Sequence, residues 1–376
     1  MPSYSEISDY LLERLCGALG LEAQLPEFRM TQDFLLQDLA GIEVPPHPPY
    51  ASLLGDDHSP FEYSIAFSDE KAELRLLFEV QARDPGVLTN QRAALAFNEK
   101  LAARYNTTFD RFEQLRDLFI SESRPGPFSL WHGARFDRAR PDFKIYLNPE
   151  TFGSTQALPL MSEALRRLGL DHAAATIRAV VRARGGQDAL NYFSLDLSPE
   201  ASARIKVYFR HDAASASEVD RIFSMVAPTH RAGDIVDFSR KVVGHDKPFL
   251  FKPVTSCLSF TTTSASPTAM TFHLPIAHYT TSDASSVARS AAYLESIGQP
   301  RAAEKLERAV RAFAPRALES GCGVQSYASF RREPSGLRFT SYLSPELFRE
   351  ADSHGSCSRL RSVEQQSNTG TGFSTK

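Results

Sequence analysis

The chain has 376 residues, of which 42% are hydrophobic, so its apolar side chains suffice for one large core or two ordinary ones. Its formal net charge of -3, with acidic and basic residues interspersed, predicts no nucleic-acid partner. No apolar run approaches the roughly 20 residues that span a bilayer, and residues 1–10 are polar, so we expect neither a leader peptide nor a membrane partner.

Two helical stretches open the chain, and five predicted β-hairpins follow. The helices are 7–19 and 31–40, where apolar residues recur three and four positions apart. Each hairpin joins two runs of alternating apolar and polar residues through a short turn. The predicted strand pairs are 61–67 with 74–80, 128–136 with 143–147, 190–197 with 203–209, 257–261 with 269–274, and 324–330 with 337–343.

Between hairpins the hydrophobic period changes to that of helices, and each gap holds about two of them. Ser282 and Asp283 form an N-cap signal for one of these helices, and Gly298 follows its last turn. The predicted pairs are 90–104 with 110–120, 162–168 with 173–182, 217–226 with 232–242, and 284–297 with 301–313.

This order describes five consecutive helix, helix, strand, strand units. Antiparallel strands from equivalent units remove their edges by closing into one barrel with the helices outside. We therefore predict an α/β (α+β) fold, a ten-stranded antiparallel β-barrel surrounded by α-helices, as a single domain over residues 1–351. Residues 352–376 are rich in Ser, Gly, Thr and Gln without periodicity, which predicts a disordered tail.

Basic residues at alternate strand positions are predicted to line the barrel, because its outer face must be apolar to receive the helices. The row contains Arg75, Lys144, Arg204 and Lys206. Each unpaired cation inside a barrel loses several kcal/mol of hydration unless an anion lies nearby. A bound diphosphate would be such an anion.

Tyrosines share the same alternating positions and are predicted to face the same lumen. They are Tyr146, Tyr208, Tyr327 and Tyr342. A ring of aromatic faces stabilises a carbocation by about 0.5 to 2 kcal/mol for each ring, and its bulk keeps water away.

Both rows also have an alternative interpretation as ordinary strand faces. Arg75 would then pair with Glu62 or Glu79. Arg204 would pair with Asp196 across its hairpin, while the lysines reach solvent at a strand end. The tyrosines would be common strand residues that simply pack.

Short motifs on the five hairpins resemble those of one enzyme family. The first is Ser59-Pro-Phe-Glu-Tyr-Ser64 at the start of a strand. The others follow in the family's order and are Leu74-Arg-Leu-Leu-Phe-Glu79, Lys144-Ile-Tyr-Leu-Asn-Pro149, Arg204-Ile-Lys-Val-Tyr208, Leu274-Pro275, Gln325-Ser-Tyr-Ala-Ser-Phe330 and Tyr342-Leu-Ser-Pro345. The chain resembles the indole prenyltransferases of the dimethylallyltryptophan synthase type over residues 59 to 351, and most closely the bacterial members.

The resemblance implies the prenyltransferase barrel, also called the ABBA fold. It also implies transfer of a dimethylallyl or longer prenyl group from an allylic diphosphate to the indole ring of tryptophan or a tryptophan-derived metabolite. The reaction would pass through an allylic carbocation without metal or other cofactor. The expected partners are these small molecules, and the protein would be a monomer or a homodimer.

Carried over to matching positions, the resemblance gives individual residues roles. Glu62 is implied to hold the indole N–H and to stabilise the arenium intermediate. The implied diphosphate site is Arg75, Lys144, Arg204 and Lys206. The implied cation shield is Tyr146, Tyr208, Tyr327 and Tyr342. The aromatic-substrate pocket is expected to contain Glu62, Trp131, His132 and Gln325.

His273 departs from the family pattern, which has a tyrosine at this position. We consider it a second catalytic candidate, because a histidine accepts a proton or donates to a diphosphate near neutral pH. A packed, hydrogen-bonded core histidine is the alternative. His132 is a further candidate proton acceptor.

Other functions find less support in the sequence. The DDxxD motif that holds a magnesium-bound diphosphate is absent, as are the G-x-S-x-G, P-loop and G-x-G-x-x-G motifs. The four cysteines are scattered without a CxxC pair, which predicts no metal site, reduced thiols and a cytoplasmic protein. Two alternatives stay open: prenylation of tyrosine or another phenol, and a non-catalytic barrel that binds a hydrophobic metabolite.

Overall fold

A computed structural model of the chain describes residues 1–68, 71–123, 126–136, 141–333 and 336–348. Its strands form one closed barrel in which neighbours in sequence are neighbours in the sheet, and the first strand pairs with the last. The strands are β1 (Phe61–Ser68), β2 (Lys71–Phe78), β3 (Leu130–Arg135), β4 (Asp142–Leu147), β5 (Asp188–Asp196), β6 (Ile205–His211), β7 (Val254–Phe260), β8 (Ala269–Leu274), β9 (Gln325–Glu333) and β10 (Gly336–Leu343). The predicted ten-stranded antiparallel barrel is confirmed.

Helices surround the barrel and pack on its apolar outer face. They are α1 (Tyr4–Leu19), α2 (Leu25–Leu36), α3 (Val87–Arg104), α4 (Asp110–Glu113), α5 (Arg116–Phe119), α6 (Ala157–Arg167), α7 (Asp171–Arg182), α8 (Ala216–Val226), α9 (Asp234–Val243), α10 (Asp283–Ser296) and α11 (Pro300–Phe313). The predicted N-cap is confirmed, because the Ser282 side chain accepts a hydrogen bond from the Ser285 backbone N–H. The predicted helix 110–120 is instead two short helices, α4 and α5.

Alternation along β1 shows how the wall separates two environments. Tyr63 is fully buried against the helices, with its ring 5.7 Å from that of Phe313 in α11. Its neighbours Glu62 and Ser64 face the lumen, where Ser64 lies opposite Arg75 of β2. The same alternation continues around the barrel, so the hydrophobic core lies between wall and helices while the polar row lines the lumen.

Two strands carry an extra residue near the same end of the barrel. In β9, Tyr327 pairs with Tyr342 but Gln325 pairs with Leu343, so Ser326 is unmatched. In β5, the register likewise shifts between Leu190 and Tyr192. Such bulges turn a side chain away from the direction that strict alternation would give it.

Three further predictions concern membrane helices, the cysteines and the C-terminal residues, and their outcomes differ. Among the described residues, no helix is long and apolar enough to cross a membrane. The prediction of reduced cysteines is wrong for Cys322, which is in a disulfide, whereas Cys16 and Cys257 are free thiols. The predicted domain boundary at residue 351 and the disordered tail 352–376 lie outside the described residues.

Candidate active site

The end of the barrel that bears the hairpin turns opens into a cavity of 830 Å³ whose lining is rich in basic side chains. Cross-strand pairing explains the concentration, because Arg75 lies opposite Arg135, and Arg331 lies opposite Arg338. We call seven of the lining residues the cation cluster: Arg75, Arg135, Lys144, Arg204, Lys206, Arg331 and Arg338.

Carboxylates hold most of these cations in place. Glu73 contacts three guanidinium groups, those of Arg75 at 2.6 Å, Arg338 at 2.7 Å and Arg135 at 3.3 Å. Burial opposes the ionisation of Glu73, but the three arginines outweigh it and hold its pKa well below the ordinary value. Glu73 is therefore an anion that fixes the arrangement of its arginines.

A second carboxylate, Asp196, lies between β4 and β6. It accepts from Arg204 at 2.8 Å, and its other oxygen is 3.7 Å from the Lys144 ammonium. Burial disfavours the charge of Lys144 and lowers its pKa to about 8, although Asp196 opposes this effect. Among the described residues, the carboxylates that contact the cluster are Glu73, Asp142, Asp196 and Glu333.

Lys206 differs from the other members of the cluster. Its residue is 9% exposed, and none of the carboxylates in the described part of the chain forms an ion pair with it. Burial lowers its pKa well below the ordinary value. The cross-strand hydroxyls beside it, Ser194 and Ser259, are also buried, and no hydrogen-bond partner for them lies among the described residues. This side of the cavity therefore presents donors to an anion.

An aromatic belt crosses the lumen beyond the cluster. We define it as Tyr146, Tyr192, Tyr208, His273, Tyr327 and Tyr342. Tyr208 lies at its centre, with ring centroids 5.9 Å from Tyr146, 5.8 Å from Tyr192 and 5.9 Å from His273. Tyr342 continues the belt, 6.0 Å from His273 and 6.3 Å from Tyr327.

The belt is uncharged near neutral pH. Burial raises the pKa of Tyr342 above its ordinary value, so the phenol keeps its proton. Burial also lowers the pKa of His273 to about 3, with the Lys206 charge adding to the effect, so the imidazole is neutral. The neutral phenol rings of the belt suit a carbocation, because their faces attract positive charge and they carry no phenolate oxygen that would attack it.

Glu62 lies at the far end of the lumen, where β1 begins. It is 8% exposed, and its Oε1 accepts a hydrogen bond of 2.6 Å from the Ser326 hydroxyl. Burial raises the pKa of Glu62 to about 7, although Ser326 and Lys252 oppose this effect. Lys252 stands 5.1 Å from the Tyr327 ring centroid and pairs with Asp56. This end therefore offers a carboxylate that titrates near neutrality.

Trp131 adds a flat aromatic surface near Glu62. Its ring stacks on Phe128 with centroids 4.2 Å apart, and it lies 5.4 Å from Tyr192 of the belt. Trp131 pairs across strands with Tyr146, which places it on the lumenal face. An aromatic acceptor at this end of the lumen would meet ring faces as well as a carboxylate.

The sequence and the fold match those of a known enzyme family. The family model described as tryptophan dimethylallyltransferase matches residues 35–309. The chain belongs to this family. Its solved relatives include the 6-dimethylallyltryptophan synthase of Micromonospora olivasterospora in complex with DMASPP and Trp, which is 34% identical with a TM-score of 0.84 over 93% of this chain and 99% of that chain.

Two other solved members of the tryptophan dimethylallyltransferase family are similar over nearly their whole length. The 5-dimethylallyltryptophan synthase of Streptomyces coelicolor, in complex with DMASPP and Trp, is 27% identical with a TM-score of 0.83, and the match covers 93% of this chain and 96% of that one. PriB, in a ternary complex with L-tryptophan and dimethylallyl thiolodiphosphate, is 28% identical with a TM-score of 0.82, at 93% and 98% coverage. The chain is therefore a prenyltransferase with the ABBA fold.

Most residues singled out in the sequence meet in this one lumen. The diphosphate candidates all belong to the cation cluster, and the four shield tyrosines all belong to the belt. The alternative pairing is correct for Arg204 with Asp196, whereas Arg75 pairs with Glu73 rather than with Glu62 or Glu79. Both arginines therefore form an ion pair with a carboxylate and still line the lumen.

His132 does not lie in the pocket, so its expected place there is wrong. Its ring stacks on Phe78 and contacts Phe97 of α3, and its Nε2 lies 2.6 Å from the Asn98 Oδ1. These partners belong to the layer between wall and helices. Burial lowers the pKa of His132 to about 3, and its place outside the lumen, on the helix side of the wall, separates it from His273.

Gln325 also lies outside the pocket, so its expected place in the aromatic-substrate pocket is wrong. Its Nε2 donates to the hydroxyls of Ser290 in α10 and Ser341 in β10, both at 3.1 Å. The bulge after it turns Gln325 to the helix side and leaves Ser326 facing Glu62. Gln325 supports the wall from outside instead of lining the pocket.

Several lumenal residues were missed in the sequence. Arg331 continues the alternating row of Tyr327 just beyond the predicted strand 324–330, so a longer strand prediction would have found it. Arg338 lies within the predicted strand 337–343 at an alternate position from Tyr342, so the alternation alone would have shown it. Arg135 lies at an alternate position from Trp131 within the predicted strand 128–136, so the same alternation would have placed it in the lumen. Lys252 lies in a loop and has no periodic signal.

Proposed function

We propose that this prenyltransferase moves a dimethylallyl group from dimethylallyl diphosphate to the indole ring of L-tryptophan or a tryptophan-derived compound. The observation that carries the proposal is the separation of two chemistries within one lumen. The cation cluster lies at one end and Glu62 at the other, with the aromatic belt between them. The related structures hold DMASPP and Trp together.

Ionisation of the allylic diphosphate is the first step. The bond between the allylic carbon and oxygen breaks, and both electrons leave with the diphosphate. Arg75, Lys144 and Lys206 would stabilise the charge that develops on the leaving group, as preorganised donors do in low-dielectric sites. The fork of an arginine matches phosphate oxygens in pairs, whereas a lysine acts as a point charge.

The belt would protect the allylic cation until the acceptor attacks. Indole π electrons then form the new carbon–carbon bond, and the ring becomes an arenium cation. Glu62, as a carboxylate, would accept a hydrogen bond from the indole N–H and stabilise that positive charge. Loss of the ring proton restores aromaticity. Glu62, the neutral His273 and the released diphosphate are the acceptors that the lumen offers.

We also propose that the cation cluster replaces a metal ion. Fixed ammonium and guanidinium groups give the diphosphate the counter-charge that magnesium supplies elsewhere. Turnover should therefore continue in excess EDTA. Activity that EDTA abolishes and magnesium restores would contradict this part of the proposal.

The test of the acceptor is a panel of tryptophan, tyrosine, cyclic dipeptides and indole lactams with labelled dimethylallyl diphosphate, analysed by mass spectrometry. We expect the label on indole compounds. Label on tyrosine alone would identify a phenol prenyltransferase, and no label on any aromatic compound would contradict the proposed donor and acceptors.

Glu62→Gln separates the two ends of the site. Loss of the charge should lower turnover by about 100- to 1,000-fold, the range found when one preorganised electrostatic group is removed. Binding of an unreactive prenyl thiolodiphosphate should stay unchanged, because that ligand occupies the other end. Equal loss of diphosphate binding would assign Glu62 a structural role.

A further inference from the structure

The bulge in β9 places a serine beside the carboxylate of the acceptor end. Strict alternation from Tyr327 would turn residue 326 toward the helices. The register shift instead leaves Ser326 without a cross-strand partner, and its hydroxyl reaches into the lumen. Ser326 is 8% exposed, so water competes little for this contact.

The hydrogen bond of Ser326 is specific in its geometry. The Ser326 Oγ donates to Oε1 of Glu62 at 2.6 Å, a short distance typical of a hydroxyl bonded to a carboxylate. In the described part of the chain, no other side chain forms a hydrogen bond with Glu62. One carboxylate oxygen is thus occupied, and the other is left for an N–H donor in the lumen.

We propose that Ser326 is a positioning residue that fixes the orientation of Glu62 and keeps it ionised for the acceptor N–H. This inference rests on the role of Glu62 in the proposed function. A serine at this place acts on the acceptor only through Glu62. The bulge then contributes to catalysis by placing this hydroxyl in the lumen, because a regular β9 would turn it to the outer face.

The surroundings of Glu62 explain why one hydroxyl has a large effect. Burial raises the pKa of Glu62 to about 7, and the hydrogen bond from Ser326 is the first of the effects that oppose it. The other charged or titratable groups coupled to Glu62 come from neighbouring strands and loops and are Lys252, Asp56, Asp57, Tyr192 and Tyr342. Lys252 favours the carboxylate, and the two aspartates disfavour it. Without Ser326, protonated Glu62 would dominate at neutral pH.

The experiment compares pH profiles of kcat/KM for Ser326→Ala, Ser326→Cys and Ser326→Thr with the wild type, using L-tryptophan and dimethylallyl diphosphate. A hydrogen bond to a charged group supports a shift of about one to two pH units. We expect the acidic limb of Ser326→Ala to move up by that amount, with a loss of about 10- to 100-fold at pH 6 and about 3-fold or less at pH 9. The threonine variant should retain the profile, and the cysteine variant, with its weak S–H donor, should lie between.

A matched control lies on the other face of the same wall. Ser341→Ala also removes a buried strand hydroxyl and one hydrogen bond, that from Gln325, but does not touch Glu62. It should lose stability without a shift of the acidic limb. An equal shift in Ser341→Ala would show that the limb reports wall stability rather than Glu62.

Infrared difference spectroscopy measures the titration of Glu62 without turnover. The carboxyl signal that is missing in Glu62→Gln should titrate at higher pH in Ser326→Ala than in the wild type. If the wild type shows no prenyl transfer, the proposed function fails while this titration still tests the hydrogen bond. An active wild type whose Ser326→Ala variant keeps both the infrared titration and the acidic limb would overturn the inference alone.

Discussion

We predict that Lys206 lowers the stability of the empty protein and raises its affinity for the diphosphate. Its ammonium is buried without an ion pair in the described part of the chain. A buried lysine can lose its proton instead of keeping its charge, and at pH 7.5, about three pH units below its ordinary pKa, this costs about 4 kcal/mol. This cost is the upper limit of the free energy by which burial of Lys206 can destabilise the empty protein. Lys206→Met keeps the apolar stem and removes the charge.

We expect Lys206→Met to stabilise the empty protein by about 2 to 4 kcal/mol, which for a chain of this length corresponds to a rise in Tm of roughly 3 to 5 °C. Burial depresses the pKa of Lys206 in the folded state. The penalty is therefore full below that folded pKa and fades as pH rises toward the unfolded value of about 10.4. The difference in Tm between variant and wild type should shrink correspondingly by pH 10.

The same variant should bind dimethylallyl thiolodiphosphate at least about 30-fold more weakly, a loss of about 2 kcal/mol. Differential scanning fluorimetry with and without the ligand measures both effects. Lys144→Met is the matched comparison: Asp196 offsets part of the burial cost of that lysine, so the variant should weaken binding with a smaller rise in Tm than Lys206→Met gives. A Lys206→Met protein with an unchanged Tm and unchanged affinity would refute the reasoning.

Three further changes test other parts of the site. Glu73→Gln removes the carboxylate between three arginines, so we expect a lower apo Tm together with stronger product inhibition by pyrophosphate at low salt. His132→Ala should cost about 2 to 4 kcal/mol of stability through a cavity and the lost contact with Asn98, while the acceptor panel stays unchanged. Trp131→Leu should raise the KM for the acceptor far more than that for the diphosphate, because its ring lies at the Glu62 end.

The barrel could be predicted because each strand obeys one local rule. Alternation along 144–147 and 205–209 separates Lys144, Tyr146, Lys206 and Tyr208 from their apolar neighbours without any knowledge of the partner strands. The same rule shows that Trp131 and His132, adjacent on β3, cannot both face the lumen. His132 was thus an avoidable error.

Ser326 and Gln325 show where local rules end. The side of the wall that each of them faces depends on a bulge between β9 and β10. These strands are distant in sequence from Glu62, which Ser326 contacts. Asp56 and Lys252 lie in loops and meet His278, which ends a short 3-10 helix, and such segments have no period from which their contacts follow. Sequence patterns therefore predict which strand rows line the lumen, but not the contacts that loops and bulges make.

The most direct test of the account is a crystal structure of the chain with an unreactive dimethylallyl thiolodiphosphate and L-tryptophan. We expect the diphosphate on Arg75, Lys144 and Lys206, the allylic carbon within the aromatic belt, and the indole N–H on the free oxygen of Glu62. A diphosphate bound away from the cation cluster, or an indole whose N–H points away from Glu62, would contradict it.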